Sequence, residues 1–510
     1  MRRDEIAPPV GAVPVHPSPG DTALTCFPSA KQLFGLFLCY YGLQVLIRTL
    51  VSSSLDLDES DQVLFSQKLL VGYGPDPPLY TWFQIVFFAI LGQSVLALSL
   101  LKNLLLFSLC VFNYLNARFI TRSHACGVGA AVSLLFVPQI AWESQRDLTH
   151  SVLASTLASA MLFCFLHLLR GKETRWYLLT GFCAGLGLLS KFNFGFWILG
   201  LVAAALTLRE FRSALMDRRM LLALVVCLLV FLPNSMWILS HSDVAFFNAD
   251  KLQMAREAST WLSVAGRGIR NVISAIATFM GPLCLVCLVL FWKAPKQVLA
   301  TEDSSNYAKL LLRALGIIAG LFLLLVVCVR ATGFRERWFQ PMLVCSPVLV
   351  MVFLQERLDQ ARLTRMVAFA LVVMLAVAVI LPGRILLGEK LDRDERLMWP
   401  YAELAAQIRA VAPPDSIIVA ETGLVGGNLR LALPTTPVTT PKYPGLYEIQ
   451  GKPLVIVWDA RRQDAMPEWM RNWAKAKTKK NPSRFEPQYL TATYKYRRAK
   501  QMRFGMLLLK

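Results

Sequence analysis

Charge is scarce in this chain. Asp, Glu, Lys and Arg make up 17% of its 510 residues, against about 25% in an ordinary soluble domain. Hydrophobic residues make up 55% and the mean hydropathy is +0.49, which excludes a soluble globular chain. Two phosphate-binding signatures are missing, the GxxxxGK[ST] loop and the dinucleotide fingerprint, so a soluble nucleotide has no ready cradle. Cysteine is absent after Cys345, which excludes a disulfide framework from the polar C-terminal region. Cys284 and Cys287 form a CxxC, but inside an apolar run, where thiols pack as small hydrophobes. No internal repeat of the kind common in transporters occurs.

Acidic residues are the scarcest charges: 33 Asp and Glu against 53 Lys and Arg, for a net charge of +20. In a soluble protein that excess would suggest nucleic acid. Here many of the basic residues fall in short loops between apolar runs, as the positive-inside rule requires of a membrane protein. No nucleic-acid partner is expected. The basic groups at Arg118/Arg122, Arg170/Lys172/Arg175, Arg209/Arg212/Arg218/Arg219, Lys293/Lys296/Lys309 and Arg357/Arg362/Arg365 are assigned to the cytoplasm.

Between them lie eleven candidate spans, at 31–50, 96–117, 125–142, 149–169, 176–190, 193–208, 220–240, 271–292, 310–329, 338–355 and 366–385. The segment 78–91 is apolar but short. A full crossing there would invert every later basic loop, so it is expected to lie at the interface or to dip in and return. With the N-terminus inside, residues 51–95, 143–148, 241–270 and 330–337 share the outer face, together with Lys191. Arg330, Arg335 and Arg337 then sit on the side where basic residues are disfavoured, and a bound anion would explain them.

Residues 1–30 are rich in Pro and Gly without periodicity and read as a disordered cytoplasmic tail. Residues 31–385 form the membrane portion. Residues 386–510 turn polar, with helical spacing over 401–411 and buried-strand patterns at 416–420 and 454–458, which predicts a small extracytoplasmic α/β domain. The basic stretch 471–510 reads as a solvated surface, with contact to anionic lipid headgroups as the alternative. The segment 241–270, with His241, Asp243, Lys251, Arg256 and Arg267, reads as a mixed-charge outer loop, and Trp237 and Trp261 mark the interface.

The chemistry is concentrated just after the first span. Asp56, Asp58, Glu59 and Asp61 cluster beside a bilayer, where a carboxylate is costly unless it faces a wet cavity or a partner. Asp147 is a second carboxylate on the same face, although a helix N-cap is an equally ordinary place for Asp. His150, one turn on, reads as a packed polar residue. Lys191 ends a short apolar helix, where a cation can either answer the helix C-terminus or bind an anion.

Five motifs then occur in order: Leu57-Asp58-Glu59; Pro77-Pro78-Leu79-Tyr80-Thr81-Trp82; Gln145-Arg146-Asp147-Leu148-Thr149-His150; Leu189-Ser190-Lys191 after Gly181, Gly185 and Gly187; and Arg337-Trp338-Phe339-Gln340-Pro341. Over 31–385 this series resembles the type-C (GT-C) membrane glycosyltransferases, in the group of protein O-mannosyltransferases and bacterial aminoarabinose transferases (glycosyltransferase family 39). One departure stands out. The aminoarabinose transferases carry a Glu-Lys pair just before the proline motif, where this chain has Pro75 and Asp76.

The resemblance implies a polyprenyl-phosphate-linked sugar as donor and an acceptor hydroxyl on a lipid, polysaccharide or protein. It places the reaction at the outer face of the bacterial inner membrane, within membrane lipid. It also implies site residues: Asp58 as the base with Glu59 second, Asp147 as a supporting carboxylate, and Lys191 and Arg337, then Arg335, as partners of the lipid phosphate, with Tyr80 in the proline motif. A divalent metal, Mg²⁺ or Mn²⁺, stays open as a cofactor. A multi-pass lipid or sugar transporter or flippase is the alternative reading, since intramembrane charge also marks transport paths. A non-catalytic scaffold is a third.

Overall fold

A computed structural model describes residues 28–509 except 75, 243–260, 296–301, 444, 445, 448, 450 and 462. The expected tail, apart from its last residues, and Asp243, Lys251 and Arg256 lie outside the described residues.

Seven described helices are long and apolar enough to cross a membrane: α1 (Ala30–Val51), α4 (Val95–Thr121), α7 (His150–Gly171), α11 (Arg219–Ser240), α12 (Trp261–Phe291), α13 (Glu302–Cys328) and α16 (Gln360–Leu386). Three bent pairs raise the number to ten. His124–Phe136 with Gln139–Arg146 bends by 71°, α9 (Phe194–Thr207) with α10 (Arg209–Leu215) by 119°, and α14 (Glu336–Leu343) with the Ser346–Arg357 segment by 51°. The first bend falls at Pro138, after which the backbone continues as a π-turn over Gln139–Glu143. Proline's missing N–H is a common cause of such a break.

The segment predicted over 176–190 is α8 (Thr174–Ser190), 17 residues long. Its glycines allow close packing on α11. A Cβ on Gly181 would fall on the Ala223 carbonyl, and one on Gly185 would come within 2.7 Å of Val230. Small residues let membrane helices approach in this way. The short apolar segment is α3 (Leu79–Leu91), 13 residues long. At 1.5 Å per residue it covers about 20 Å, short of a hydrocarbon core of roughly 30 Å.

Two expectations change. The 241–270 segment is not a loop throughout: α12 begins at Trp261, so Arg267 is helical and the span predicted to start at 271 is the second part of a 31-residue helix. The 471–510 stretch is not merely a solvated basic surface. It holds α19 (Glu468–Thr478), most of which lies within it, β4 (Gln488–Tyr494) and β5 (Arg497–Leu509). Every second side chain of β5 from Met502 to Met506 is buried, and the basic residues hide that alternation.

After α16 the chain forms α17 (Tyr401–Val411), β1 (Ile417–Ala420), α18 (Gly423–Ala432), β2 (Val438–Thr439) and β3 (Leu454–Asp459), then α19, β4 and β5. The five strands lie in the order β2-β1-β3-β5-β4. β1 pairs in parallel with β2 and β3, and β5 lies antiparallel between β3 and β4. Ile417, Val419, Leu454 and Ile456 pack on the α19 side of the sheet, while Ile418, Val455 and Val457 pack toward α17 and α18.

This C-terminal layer is seated on a short helix, α2 (Leu57–Phe65), just after the first span. Asn428 of α18 accepts from Leu55 N at 2.8 Å and donates to Leu55 O at 3.3 Å. Gly427 packs so closely that a Cβ would fall on the Ser60 carbonyl. Ser52 and Ser54 donate to the carbonyls of Leu397 and Trp399. Gln67 holds both the N–H and the carbonyl of Val438.

Candidate active site

The sequence of α2 fixes its own start. Asp56 is the N-cap and Glu59 completes a capping box by accepting from Asp56 N, which satisfies helix N–H groups that would otherwise be unpaired. Asp56 is therefore not an ordinary solvated neighbour: it is 7% exposed and pairs with Arg396. Consecutive positions on a short helix point in different directions, and this separates Asp58 from Glu59.

Glu59 points into the protein. Arg48 of α1 donates to it through Nε at 3.2 Å and Nη2 at 2.6 Å, and Lys102 of α4 lies at 3.4 Å. Burial alone would raise its carboxyl, but the two cations and their hydrogen bonds bring it down to about 2. Arg48 also ties down the carbonyls of Ser52 and Ser54 at 2.8 Å each. A carboxylate committed to two cations is a poor proton acceptor, which favours Asp58 over Glu59 as the candidate base.

Asp58 lies against the turn that carries Asp147. Asp58 N donates to Asp147 Oδ1 at 2.9 Å, and Thr149 N donates to Asp58 Oδ2 at 3.3 Å. This reciprocal brace ties α2 to the turn before α7. The N-cap alternative for Asp147 does not hold: α7 begins after Thr149 without a side-chain cap, and the Asp147 carboxylate is spent on α2. Both carboxylates are partly buried.

Burial raises Asp58, while Arg337 and His150 draw it back down and Asp76 adds to the rise. Burial and then the charges of Asp58 and Asp56 hold Asp147 well above the usual carboxylate range. The upward pull on Asp147 is the stronger of the two, while Arg337 and His150 favour the charged form of Asp58.

The cations come from two distant elements. Lys191 Nζ donates to Ser151 Oγ at 2.8 Å and to the Arg337 carbonyl at 3.0 Å. Burial and the nearby Arg337 charge lower Lys191 to about 8, against the pull of Asp76 and Asp58. Arg337 lies in the first turn of α14, partly buried, and acts on both Asp58 and Lys191. Arg335 is exposed at the N-cap of α14.

Tyr80 is fully buried beneath this assembly, its ring 5.6 Å from that of His150. His150 is indeed packed: Gln62 Nε2 lies 2.9 Å from its Nε2, and Thr81 donates to Gln62 Oε1 at 2.8 Å. Tyr443, from the C-terminal layer, packs edge-on to Phe65 with centroids 4.7 Å apart and lies within electrostatic reach of Asp61, Asp76 and Asp58.

Sequence reasoning brings Asp58, Asp147, Lys191, Arg337 and Tyr80 to one place and misses Arg48, Lys102 and Tyr443. For the two cations a signal was present. Each is a charge inside an apolar span, and such a charge requires a buried partner or a wet cavity. Tyr443 carries no such mark, because only the tertiary fold brings it near α2. Among the described residues no three His, Cys, Asp or Glu side chains converge closely enough to hold a metal ion.

Comparison with known proteins identifies the family. Residues 75–237 match the dolichyl-phosphate-mannose-protein mannosyltransferase family. The chain is 33% identical over 450 residues to the lipopolysaccharide core galacturonosyltransferase RgtB of Rhizobium johnstonii, covering 87% of this chain and 90% of that protein. It is 31% identical over 437 residues to RgtA of the same organism, covering 84% and 86%. Among solved structures, ArnT from Cupriavidus metallidurans bound to undecaprenyl phosphate aligns with a TM-score of 0.59 at 12% identity, over 94% of this chain and 98% of that one, a likeness of fold. The identity and coverage shared with RgtA and RgtB show that the chain belongs to the family of membrane glycosyltransferases that these two enzymes represent.

Proposed function

We propose that this glycosyltransferase moves a monosaccharide from a polyprenyl-phosphate donor to a hydroxyl of an envelope saccharide, at the outer face of the bacterial inner membrane. The relatives make a uronic acid the first sugar to test and a lipopolysaccharide core the first acceptor. The observation that carries the reading is the carboxylate pair Asp58/Asp147 set against Lys191 and Arg337. In one step the acceptor oxygen bonds to the anomeric carbon and the bond to the lipid phosphate breaks.

Asp58 takes the acceptor proton, since its neighbours favour the ionised form. Asp147 braces the α2 backbone and orients the acceptor. Lys191 and Arg337 take up the charge that grows on the leaving phosphate, where pre-positioned donors are most effective. Arg335, exposed at the same helix start, meets the donor earlier, as it approaches. Tyr80 supplies the floor.

The topology that suits this chemistry has eleven crossings over 31–385, with α8 as a short span, α3 lying at the interface and 386–510 outside. In it α2, Asp147, Lys191 and Arg337 share the outer side. Incubating purified protein with a radiolabelled polyprenyl-phosphate sugar tests the reading, because an enzyme cleaves the glycosidic bond and a flippase leaves it intact. Cleavage with free polyprenyl phosphate as product is expected. An intact donor in the presence of acceptor would overturn the assignment.

A further inference from the structure

At the end of the bundle away from α2, α4 and α7 finish side by side. They run in the same direction: Thr156 donates to the Leu105 carbonyl and Asn116 to the Ser159 carbonyl, each at 2.9 Å. A groove opens between their last turns, with Arg118 and Arg122 on the α4 side and Arg170 on the α7 side. Phe119 and His167 stand three residues back from Arg122 and Arg170, and Leu115 and Phe163 four residues further back. Those spacings keep each set on one helix face. The groove therefore grades from charge at the bundle end to hydrocarbon within.

His167 is the centre of its floor. The imidazole lies 4.3 Å, centroid to centroid, from each of Phe119, Phe163 and Trp176. Its Nδ1 donates to the Phe163 carbonyl at 2.9 Å, since a carbonyl can only accept. Phe112, 6.1 Å from Phe163, continues the apolar face inward.

The cations above this floor are not balanced. Arg175, Arg219 and Arg362 at the same end each pair with a carboxylate two or three residues away. Of the groove's arginines, Arg122 alone has one, Asp303. Arg118 is exposed and donates to a neutral group, the Tyr114 hydroxyl, at 3.2 Å. Arg170 is exposed and lies over the Phe119 ring, 5.1 Å from its centroid. Stacking fixes the plane of a guanidinium and spends none of its N–H donors. A cation in the last turn of a helix answers the helix dipole, which accounts for the charge of Arg118 and Arg170 but not for the ring-floored groove beneath them.

We infer that this groove holds an anionic phospholipid, its phosphate at Arg118 and Arg170 and an acyl chain along Leu115 and Phe163. Two cations without a carboxylate call for an anion, and the apolar continuation past the arginines makes a lipid, rather than free phosphate, the occupant. Basic pockets between membrane helices take phospholipid headgroups in this way. In the topology proposed above the groove opens on the cytoplasmic leaflet. It lies at the opposite end of the bundle from Asp58, and its test reads no turnover, so it stands apart from the transferase reading.

The test places the full-length protein in phosphatidylcholine nanodiscs with a trace of phosphatidylglycerol that carries a diazirine in one acyl chain, and maps the light-induced adducts to peptides. Adducts are expected within 112–119 and 163–170, displaced by unlabelled phosphatidylglycerol and not by glycerol 3-phosphate. Arg118→Gln combined with Arg170→Gln should reduce this labelling about tenfold or more, since each cation beside an anionic lipid is worth roughly fivefold in affinity. Arg209→Gln removes an equally exposed charge at the same end, from the start of α10, and should change it less than twofold. Adducts spread evenly over the lipid-facing helices would overturn the inference, as would labelling that survives the double variant. So would displacement by glycerol 3-phosphate, which would make the groove a site for soluble phosphate, or an equal loss in Arg209→Gln, which would reduce the effect to diffuse surface charge. The position of the adducts in the unaltered protein is decisive even without the variants.

Discussion

The two ends of the helix bundle use the same residue types in opposite ways. At the end away from α2, charges meet at the surface: Arg122 and Asp303, 60% and 57% exposed, pair at 2.8 Å, and Arg175 pairs with Glu173 in the same manner. At the α2 end the charges are drawn inward. Glu59 is 2% exposed between two cations, and Asp58, Asp147 and Lys191 are held off their ordinary protonation behaviour by burial and by one another. Solvent screens the first set, so it adds little to stability. The second set is screened poorly, so each group alters its neighbours. The chemistry proposed for this end draws on desolvation and mutual placement rather than on any unusual side chain.

The sharpest way to break the contrast is Asp58→Asn. It should lower kcat by about 10²–10⁴-fold, the usual contribution of a positioned base, with membrane insertion and thermal unfolding close to wild type. Transfer assays alongside a melting curve check it, and activity within tenfold of wild type would remove the assigned base.

Glu59→Gln should act on stability instead. It leaves Arg48 and Lys102 buried with a neutral partner, a kind of change that costs about 3–5 kcal/mol. The sign with pH follows from its depressed carboxyl. The contribution is present above the unfolded value of about 4.3 and is lost as pH falls toward about 2. Unfolding in detergent between pH 5 and 3 should therefore converge for wild type and variant. A gap that widens in acid would contradict this account.

Lys191 sharpens the comparison through pH. With its value drawn down to about 8, kcat/KM should fall on the alkaline side near that pH, as the ammonium loses its proton. Lys191→Arg keeps its charge, so the alkaline limb should move up by more than one pH unit, even at a lower maximal rate. An unmoved limb would assign it to another group. At the far end, Arg122→Gln should change stability by about 0–1 kcal/mol and leave transfer unaltered.

Much of this was legible before the fold. The order of Asp58, Tyr80, Asp147, Lys191 and Arg337 along the chain names residues that the fold gathers, because each closes or opens a helix at the same end of the bundle. The strands at 417–420 and 454–459 stood out as apolar runs. Three features were hidden. Adjacent carboxylates look equivalent in sequence, and only the facing of α2 sends Glu59 to Arg48 and leaves Asp58 to Asp147. The alternation in β5 is masked by Arg497, Arg498, Lys500 and Arg503, which fall on its more exposed positions. The bend after α9 had no proline to announce it.

The position of β5 has a consequence for biogenesis. This last described strand lies between β3 and β4, inside the sheet rather than at its rim, and the layer it helps to close is the seat of α2. The turn bearing Asp58, made within the first eighth of synthesis, thus meets its seat at Asn428 and Gly427 only after most of the chain has been made. A nascent chain still emerging into the membrane therefore carries this turn without the C-terminal layer that braces it.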